Sequence, residues 1–527
     1  MQKIIIYLLI IGLIYFCLFI PFNGAGAQNP EMLSVFEIDE YAQFPNLQPM
    51  LSGGESLKYT IRNFLVYQHY FYGYPFYFFS SLVALPFRLI NGPDFLSQTR
   101  PLMLALRQLI NVLPNMLAAF VLTYFATRFR SLFSSLIVFS IILFTPALVA
   151  NGLWWHPDGL GLLFIALTMF FLSLDNLRLK KFFYFAAISA GIAGGIKYLG
   201  FFFVLTIPTY LIFGLIQKKY GFKKMVLSGF VFIVIMFAAI IITNPLLLLP
   251  LERSEIIRIQ TSQFIHTSSG EMLGKQPLLE EGRLPGWLIA NYGTPFFILL
   301  LFISLISGFF QKKNRLNAII IATFIIPQII TTLAVALRRS HYFLPIFLPL
   351  TASLSFLIPD NMQGVDMKRK ENFRLIPIIA ILLIQALFFI REDYFLFLNM
   401  KNREKNSSSI AFYHEIAESY FDPLPTEPIT IYRDWHVYFP ENNEVDVFMD
   451  WDLASYQMLD TEKPDYLLLD NAYISTYGAP GFLDISSSPE RLAEMHQFYS
   501  EAFEKDIIGY SLIFENSFGS LYERNMK

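Results

Sequence analysis

The sequence predicts a polytopic α-helical membrane protein with a small soluble α/β domain at its C-terminal end. Three observations predict it. Of the 527 residues, 55% are hydrophobic and only 15% charged, whereas soluble domains carry about 25% charged residues. Apolar runs that are long enough to span a bilayer, or nearly so, recur about eleven times before residue 391. From Asp393 onward the composition turns polar and mixed. The expected division is a transmembrane domain over residues 1–392 and a soluble domain over residues 393–527. A net charge of −2 argues against a nucleic-acid partner. The single cysteine, Cys17, leaves no intramolecular disulfide to form.

The first run, residues 4–22, follows Lys3 and precedes Ala25-Gly26-Ala27, the layout of a signal peptide with an A-x-A cleavage site. It exceeds the usual apolar core of about 7–15 residues and is long enough to cross a membrane, so an uncleaved first span is expected. Further runs lie at residues 101–127, 132–150, 160–174, 182–196, 199–216, 225–243, 287–310, 316–337, 342–358 and 375–390. Those at 160–174 and 182–196 are short for full spans, and the second turns in a tight hairpin near Lys197. The run at residues 71–90, which contains Pro75 and Pro86, is ambiguous.

Positive charge resolves it. Basic clusters occur at Arg128/Arg130, Arg178/Lys180/Lys181, Lys218/Lys219/Lys223/Lys224, Lys312/Lys313/Arg315 and Lys368/Arg369/Lys370/Arg374. Lys and Arg concentrate in cytoplasmic loops. All five clusters share the side of Lys3 only if residues 71–90 do not cross. That stretch is therefore expected to be interfacial or re-entrant within a long first outer loop, with the N-terminus inside and the C-terminus outside. The remaining polar features then gather on one outer face: Asp39 and Glu40, the loop Trp154-Trp155-His156-Pro157-Asp158, Lys197, residues 244–286, and Arg338-Arg339-Ser340-His341. In the soluble part, strands are expected at 429–438, 465–469, 511–515 and 520–522, and a helix at 489–505.

A carboxylate at the centre of a span costs about 2.5–3.5 kcal/mol on insertion scales, so an acidic pair at the mouth of one is either a solvated loop or a site. Asp39 and Glu40 are candidates for general-base chemistry, since a carboxylate near apolar surroundings gains basicity. The Trp154-Trp155 pair reads as an interfacial anchor, which leaves His156 and Asp158 to be explained. Asp158 could cap the helix that begins at Leu160, or join a site. With Asp39 and His156 it could also bind a divalent cation, although ligand spacing across loops does not fix a metal site. Lys197 lies within GIAGGIKYLGFFF, where a cation needs an anion or a route to the surface. Its glycine neighbours permit close helix packing. Arg338 and Arg339, beside His341 and Tyr342, suit bidentate binding of a phosphate. Arg100, Arg107, Arg258, His266 and Arg283 are further candidates on the outer side. In the soluble domain, Asp434, His436, Asp450 and Asp452 form no catalytic spacing. No Walker loop, dinucleotide fingerprint or zinc pattern is found.

Several of these features taken together resemble the GT-C superfamily of membrane glycosyltransferases, which includes protein mannosyltransferases and lipid A aminoarabinose transferase. They are the acidic pair Asp39-Glu40 in the first outer loop, Asp158 opening a later helix, the hairpin GGIKYLG, Asn244-Pro245 after the seventh span, and R-x-HYFLPIFLP from Arg339. The resemblance covers roughly residues 1–359. It implies inverting transfer of a sugar from a polyprenyl-phosphate donor at the outer leaflet to a lipid, glycan or protein hydroxyl. By the resemblance, Asp39 matches the catalytic acidic residue, Asp158 the second-loop acidic residue, and Lys197 with Arg339 or His341 positions near the donor phosphate. Interfacial helices in the first loop are implied as well. The chain departs from the HPDE form in having Glu37 and Ile38 before Asp39, and has Tyr74-Pro75 where the aminoarabinose group has Lys-Pro-Pro. On this reading the lipid tail lies between helices, the cations neutralise the leaving phosphate, and Asp39 takes the acceptor proton. No cofactor is required by the reading; a divalent metal is left open.

A carrier or flippase for a lipid-linked or anionic solute is the competing class, since intramembrane Lys197 and broken helices would serve it too. No inverted repeat is visible, and the polar residues collect on one face. A scaffold protein is a third class, and it leaves the outer charges unexplained. The bias toward Lys, Ile and Phe points to a bacterial inner or plasma membrane, with the active face periplasmic or extracellular.

Overall fold

The computed structural model describes residues 1–269, 283–335, 339–358, 375–422, 428–486 and 488–525. Among them, seven helices are long and apolar enough to cross a membrane: Gln2–Phe19, Thr99–Thr127, Asp158–Asp175, Leu199–Ile216, Phe222–Thr243, Arg315–Ala334 and Leu375–Asn402. Two bent pairs, Leu132–Leu143 with Pro146–Gly152 and Pro285–Tyr292 with Pro295–Phe310, raise the number to nine. The protein is an integral membrane protein of mostly helical fold. All eleven expected apolar runs are helical, but two fall short of a full span. Residues 182–196 lie in Lys181–Lys197, only 17 residues long. Residues 342–358 form the nine-residue helix Leu344–Ala352 between 3-10 turns at Ser340–Phe343 and Ser353–Phe356.

The helices sort by depth. Asp158–Asp175 is the most enclosed of the spans and packs against Lys181–Lys197 and Leu113–Thr127. Phe222–Thr243 and Leu375–Asn402 leave most of their surface to the surroundings, with Phe230, Ile233, Phe237, Leu383 and Leu387 exposed. Such all-round apolar helices suit contact with lipid on one side and protein on the other.

The first loop is a string of short helices: Pro30–Phe36, Ile38–Gln43, Leu47–Leu51 and Leu57–Leu65. The stretch with two prolines is not broken. It forms one helix, Tyr74–Asn91, in which Pro75 occupies the first turn, where its missing N–H costs nothing, and Pro86 lies inside. Tyr74, Phe76, Tyr77 and Ala84 are buried, whereas Leu82, Leu85, Leu89 and Ile90 are exposed. It is not among the helices apolar enough to span. Backbone contact fixes its start: the Gly73 N–H donates to Ile196 O at 3.0 Å, and a Cβ on Gly73 would stand 1.6 Å from Gly195 O. Only glycine permits that approach. The Tyr74 N–H donates to Asn244 Oδ1 at 2.9 Å, so the Asn-Pro motif closes the same junction.

Helix Leu375–Asn402 continues without a break past residue 392. Beyond it lies a five-stranded sheet of order β2-β1-β3-β5-β4, with β1 Ile429–Arg433, β2 Val445–Phe448, β3 Tyr466–Asp470, β4 Tyr510–Glu515 and β5 Gly519–Arg524. β1 runs parallel to β2 and β3; β5 runs antiparallel to β3 and β4. Alternation along the strands fills two cores. Ile431, Leu468 and Leu521 face Phe412 and Ile416 on one side. Tyr432, Leu467, Leu469 and Tyr522 face Met495, Phe498 and Tyr499 of helix Pro489–Phe503 on the other. The α/β sheet near the C-terminal end is thus as expected, with β2 added and the first strand ending at Arg433.

Candidate functional site

Two adjacent carboxylates are separated by helix geometry. Glu37, whose backbone is neither helical nor extended (φ −148°, ψ 85°), interrupts the first-loop helices, and Asp39 and Glu40 fall in the first turn of Ile38–Gln43. Neighbours on a helix point about 100° apart. Glu40 turns inward and is 0% exposed. Arg107 Nε donates to its Oε1 at 2.8 Å, and Arg107 Nη2 pairs with its Oε2. The Trp155 N–H also donates to Oε1, at 2.7 Å. Arg107 Nη1 donates to Asn23 O and Ala25 O at 2.9 and 3.0 Å. Arg107 lies where the long helix Thr99–Thr127 loosens into a π turn, Arg107–Val112. One buried ion pair therefore ties the first loop, this helix and the loop before Asp158 together. Asp39 turns outward: its side chain is 31% exposed, and Arg339 Nη1 lies 3.7 Å from its Oδ2.

Trp155 is not at an interface. Its indole is buried, donates from Nε1 to Ser80 Oγ at 3.0 Å and stacks on Phe76. Trp154 stacks on His156 with ring centres 3.8 Å apart. Both tryptophans thus shape the loop that presents His156 and Asp158.

Asp158 does not cap a helix. It is the first residue of Asp158–Asp175, Pro157 holds the cap position, and no side-chain cap bond forms. The nearly buried carboxylate accepts from Lys197 Nζ at 2.8 Å through Oδ1. Its Oδ2 lies 2.9 Å from His156 Nδ1 and 3.9 Å from His341 Nε2. Lys197 ends helix Lys181–Lys197, before a left-handed Tyr198, and its ammonium sits over the rings of Tyr72 and Tyr342. The lysine is anchored by an anion and does not snorkel. Tyr72 OH also meets His156 Nε2 at 2.9 Å, and the His156 N–H donates to Asn111 Oδ1. Burial holds the His156 imidazole below its usual range, against the pull of Asp158. His156 is therefore neutral near pH 7. Glu37 shifts the opposite way: burial first, and then the charge of Glu40, push its carboxyl up.

Two cavities meet here. One, of about 150 Å³, is lined by Asp158, Lys197, Leu199, Thr332, Tyr342 and Pro345, and has mostly apolar walls. The other, of about 420 Å³, is lined by Glu37, Asp39, Trp154, Trp287, Arg339 and His436. His341 lines both. The structure thus brings Asp39, His156, Asp158, Lys197, Arg339, His341 and Tyr342 together, and sets Glu40 behind them. His266, on helix Pro250–Ser269, lines neither cavity. Arg338 lies outside the described residues. Sequence reasoning missed Tyr72 and Trp287, neither of which stands out by charge or spacing, and set His436 aside because its neighbours form no catalytic spacing. Glu37, named only as a departure from a motif, is itself the break between helices that orients Asp39.

His156, Asp158 and His341 each bring one ligand atom to within 4.8 Å of the others. Two imidazoles and a carboxylate form a donor set that suits a divalent ion. Lys197 already occupies the other oxygen of Asp158.

Residues 68–251 match the family model described as dolichyl-phosphate-mannose-protein mannosyltransferase. That segment contains Tyr72, Arg107, His156, Asp158, Lys197 and Asn244. The fold is similar to that of ArnT from Cupriavidus metallidurans in a structure bound to undecaprenyl phosphate, with TM-score 0.51 and 9% identity over 98% of this chain and 97% of that one. An oligosaccharyltransferase from Archaeoglobus fulgidus, in complex with Zn and sulfate, aligns with TM-score 0.43 and 14% identity over 87% of this chain and 67% of that one. No curated protein matches the sequence. The protein has the GT-C fold. With the matched segment, it is a membrane glycosyltransferase of the GT-C type.

Proposed function

We propose that this glycosyltransferase moves a sugar, with inversion, from a polyprenyl-phosphate donor to a hydroxyl acceptor at the outer membrane–water interface. The observation that carries this reading is the meeting of an apolar-walled cavity holding Lys197 and a more polar cavity holding Asp39, with His341 between them. A lipid phosphate suits the first and a hydroxyl acceptor the second. The family description names dolichyl-phosphate-mannose and the ArnT structure is bound to undecaprenyl phosphate; both are long-chain lipid phosphates, which supports a donor of the same class here.

The chemistry assigns each residue a role. The acceptor oxygen loses its proton to Asp39 and attacks the anomeric carbon, and the bond from that carbon to the phosphate oxygen breaks. The donor phosphodiester leaves as a phosphomonoester with one more negative charge. Lys197, held in place by Asp158, and Arg339 stabilise that charge where it develops. His341 and Tyr342 complete the phosphate side, Arg338 is a further cation for it, and His156 with Tyr72 positions Asp158. Glu40 and Arg107 hold the loop that carries Asp39. A divalent ion at His156, Asp158 and His341 would add positive charge beside the leaving phosphate. We place this face, and a soluble domain over residues 393–527, on the periplasmic or extracellular side of a bacterial membrane, from the distribution of Lys and Arg.

The test is incubation of purified protein with a panel of polyprenyl-phosphate sugars and hydroxyl acceptors, with release of free polyprenyl phosphate as the readout. Release that requires both acceptor and Asp39 is expected. Movement of intact lipid-linked sugar across proteoliposomes without release would instead make the protein a carrier.

A further inference from the structure

The largest cavity among those described lies away from this site, in the soluble domain, and has a volume of about 560 Å³. It opens between the end of β2, the loop after it, helix Tyr456–Glu462 and helix Pro489–Phe503. Its floor is apolar: Met458, Leu492 and Met495. Its walls carry hydrogen-bonding ends from Asp450, Asp452, Gln457, Glu462, Arg491 and Glu494. Trp451 also lines it, with half of its surface exposed. An exposed indole beside a polar cavity is an uncommon use of the largest apolar side chain.

Trp451 is built in. Its neighbour Asp450 accepts at its carbonyl from Trp435 Nε1 at 2.8 Å, and the Trp435 ring lies 6.0 Å from that of Trp451. On its other side, Trp451 lies 6.3 Å from Tyr41. Tyr41 belongs to helix Ile38–Gln43, the helix that carries Asp39. His436, three residues after Arg433 at the end of β1, reaches the Asp39 cavity and has its ring 6.2 Å from Tyr473. Tyr473 in turn lies 6.4 Å from Trp435, so an aromatic path runs from His436 at the Asp39 cavity through Tyr473 and Trp435 to Trp451 at the rim of the larger cavity.

A flat apolar face beside carboxylate, amide and guanidinium groups matches the two-sided chemistry of a pyranose, whose C–H face stacks while its hydroxyls donate and accept. Four carboxylates against one guanidinium on the walls disfavour anionic ligands. We propose that this cavity is a saccharide-binding site for a neutral or amino-bearing glycan, which it presents to Asp39 along the Trp451–Tyr41 path. The inference rests on the glycosyltransferase reading and narrows its acceptor to a glycan. The site binds the glycan; it takes no part in bond breaking.

Titration calorimetry on the full-length protein in detergent tests it, with maltopentaose, chitopentaose and mannopentaose as neutral probes and oligogalacturonate as the anionic one. At least one neutral probe is expected to bind. Trp451→Ala and Glu494→Gln are each expected to weaken that binding about tenfold or more, while leaving unchanged the release of polyprenyl phosphate that accompanies sugar transfer to a small hydroxyl acceptor. Binding is read without turnover, so a failed transfer assay with intact sugar binding would overturn the transferase reading and not the site. Sugar binding that is absent for all three neutral probes, or unchanged in both variants, would overturn the site. So would calcium binding to the unliganded protein that is lost in Glu494→Gln, which would make the cavity a cation site.

Discussion

Replacing Glu40 by Gln separates two explanations for an acidic pair beside a membrane. Glu40 is fully buried, accepts from Arg107 through both oxygens and accepts from the Trp155 N–H. The glutamine keeps the shape and one acceptor, but it leaves the buried guanidinium of Arg107 without its counter-charge. Breaking a buried pair by removing one partner costs roughly 3–5 kcal/mol. The backbone carbonyls of Asn23 and Ala25 stay in place as acceptors for Arg107, so the lower end of that range is expected. Arg107→Met should cost at least as much, because it strands a carboxylate with fewer remaining partners. The double variant Glu40→Gln/Arg107→Met should be less damaging than the sum of the singles, since no charge is left unpaired. Heating followed by size-exclusion chromatography in detergent measures all three. A Glu40→Gln protein with wild-type thermal stability and abolished turnover would refute the structural role and put Glu40 among the reacting groups.

Asp39→Asn should leave the thermal midpoint near wild type, because the side chain is partly exposed and its nearest cation is 3.7 Å away. Turnover should fall by about 10²–10⁴-fold, the usual contribution of a positioned base; near-normal rates would move the base to Glu37 or Asp158. Lys197→Met should weaken donor binding by an amount that reflects a charge-assisted contact of about 1.5–3 kcal/mol, and Lys197→Arg should restore part of it; unchanged donor affinity in the first variant would remove Lys197 from the phosphate side. Acid should destabilise the fold through His69, whose Nδ1 meets Tyr77 OH and whose pKa burial pulls down to about 4. The unfolded chain binds a proton there below about pH 6.5 that the folded chain refuses, so the midpoint should drop from pH 6.5 toward 4, and His69→Gln should flatten that drop. Because Lys197 already neutralises Asp158, chelation should leave turnover intact; loss on chelation with recovery on adding back zinc or magnesium would assign the ion to His156, Asp158 and His341.

Charge in an apolar setting was readable without a structure. Asp39, Asp158, Lys197, Arg339 and His341 each interrupt hydrophobic sequence, and the distribution of Lys and Arg placed them on one face. The partnership of Glu40 with Arg107 was not readable, because 67 residues separate them and no spacing rule links a loop to a π turn. The same holds for Trp155, which any interfacial rule assigns to the surface and the fold buries. Tyr72 and His436 carried no signal, since a tyrosine near a membrane and a histidine in a soluble domain are both ordinary. The four-residue β2 is too short for its alternation to register. The helix Tyr74–Asn91 was obscured by Pro86, whose usual effect is to break a helix.

The distribution of polar contacts along helix Asp158–Asp175 bears on whether anything crosses this protein. At one end Asp158 meets Lys197 and the two histidines. At the other, Asp175 accepts the backbone N–H groups of Arg178, Leu179 and Lys180 and the hydroxyl of Tyr210. At 1.5 Å per residue the ends stand about 25 Å apart. Between them the buried face is mainly Leu160, Leu162, Ile165, Ala166, Met169 and Leu172; Thr168 spends its hydroxyl on the carbonyl of Phe164 in its own helix, and Ser173, beside the Asp175 end, accepts from Arg128 and donates to Asn317. Asp175 is saturated by local donors and has the role of a helix terminator. A carrier for an anionic headgroup would need polar partners at intermediate depth, because a charge in hydrocarbon is costly. Between Gly159 and Leu172 the buried face of this most enclosed span offers only Thr168, whose hydroxyl is already bonded within the helix. An enzyme that works at one face, with the lipid chain left in the bilayer, needs only the end that holds Asp158 and Lys197.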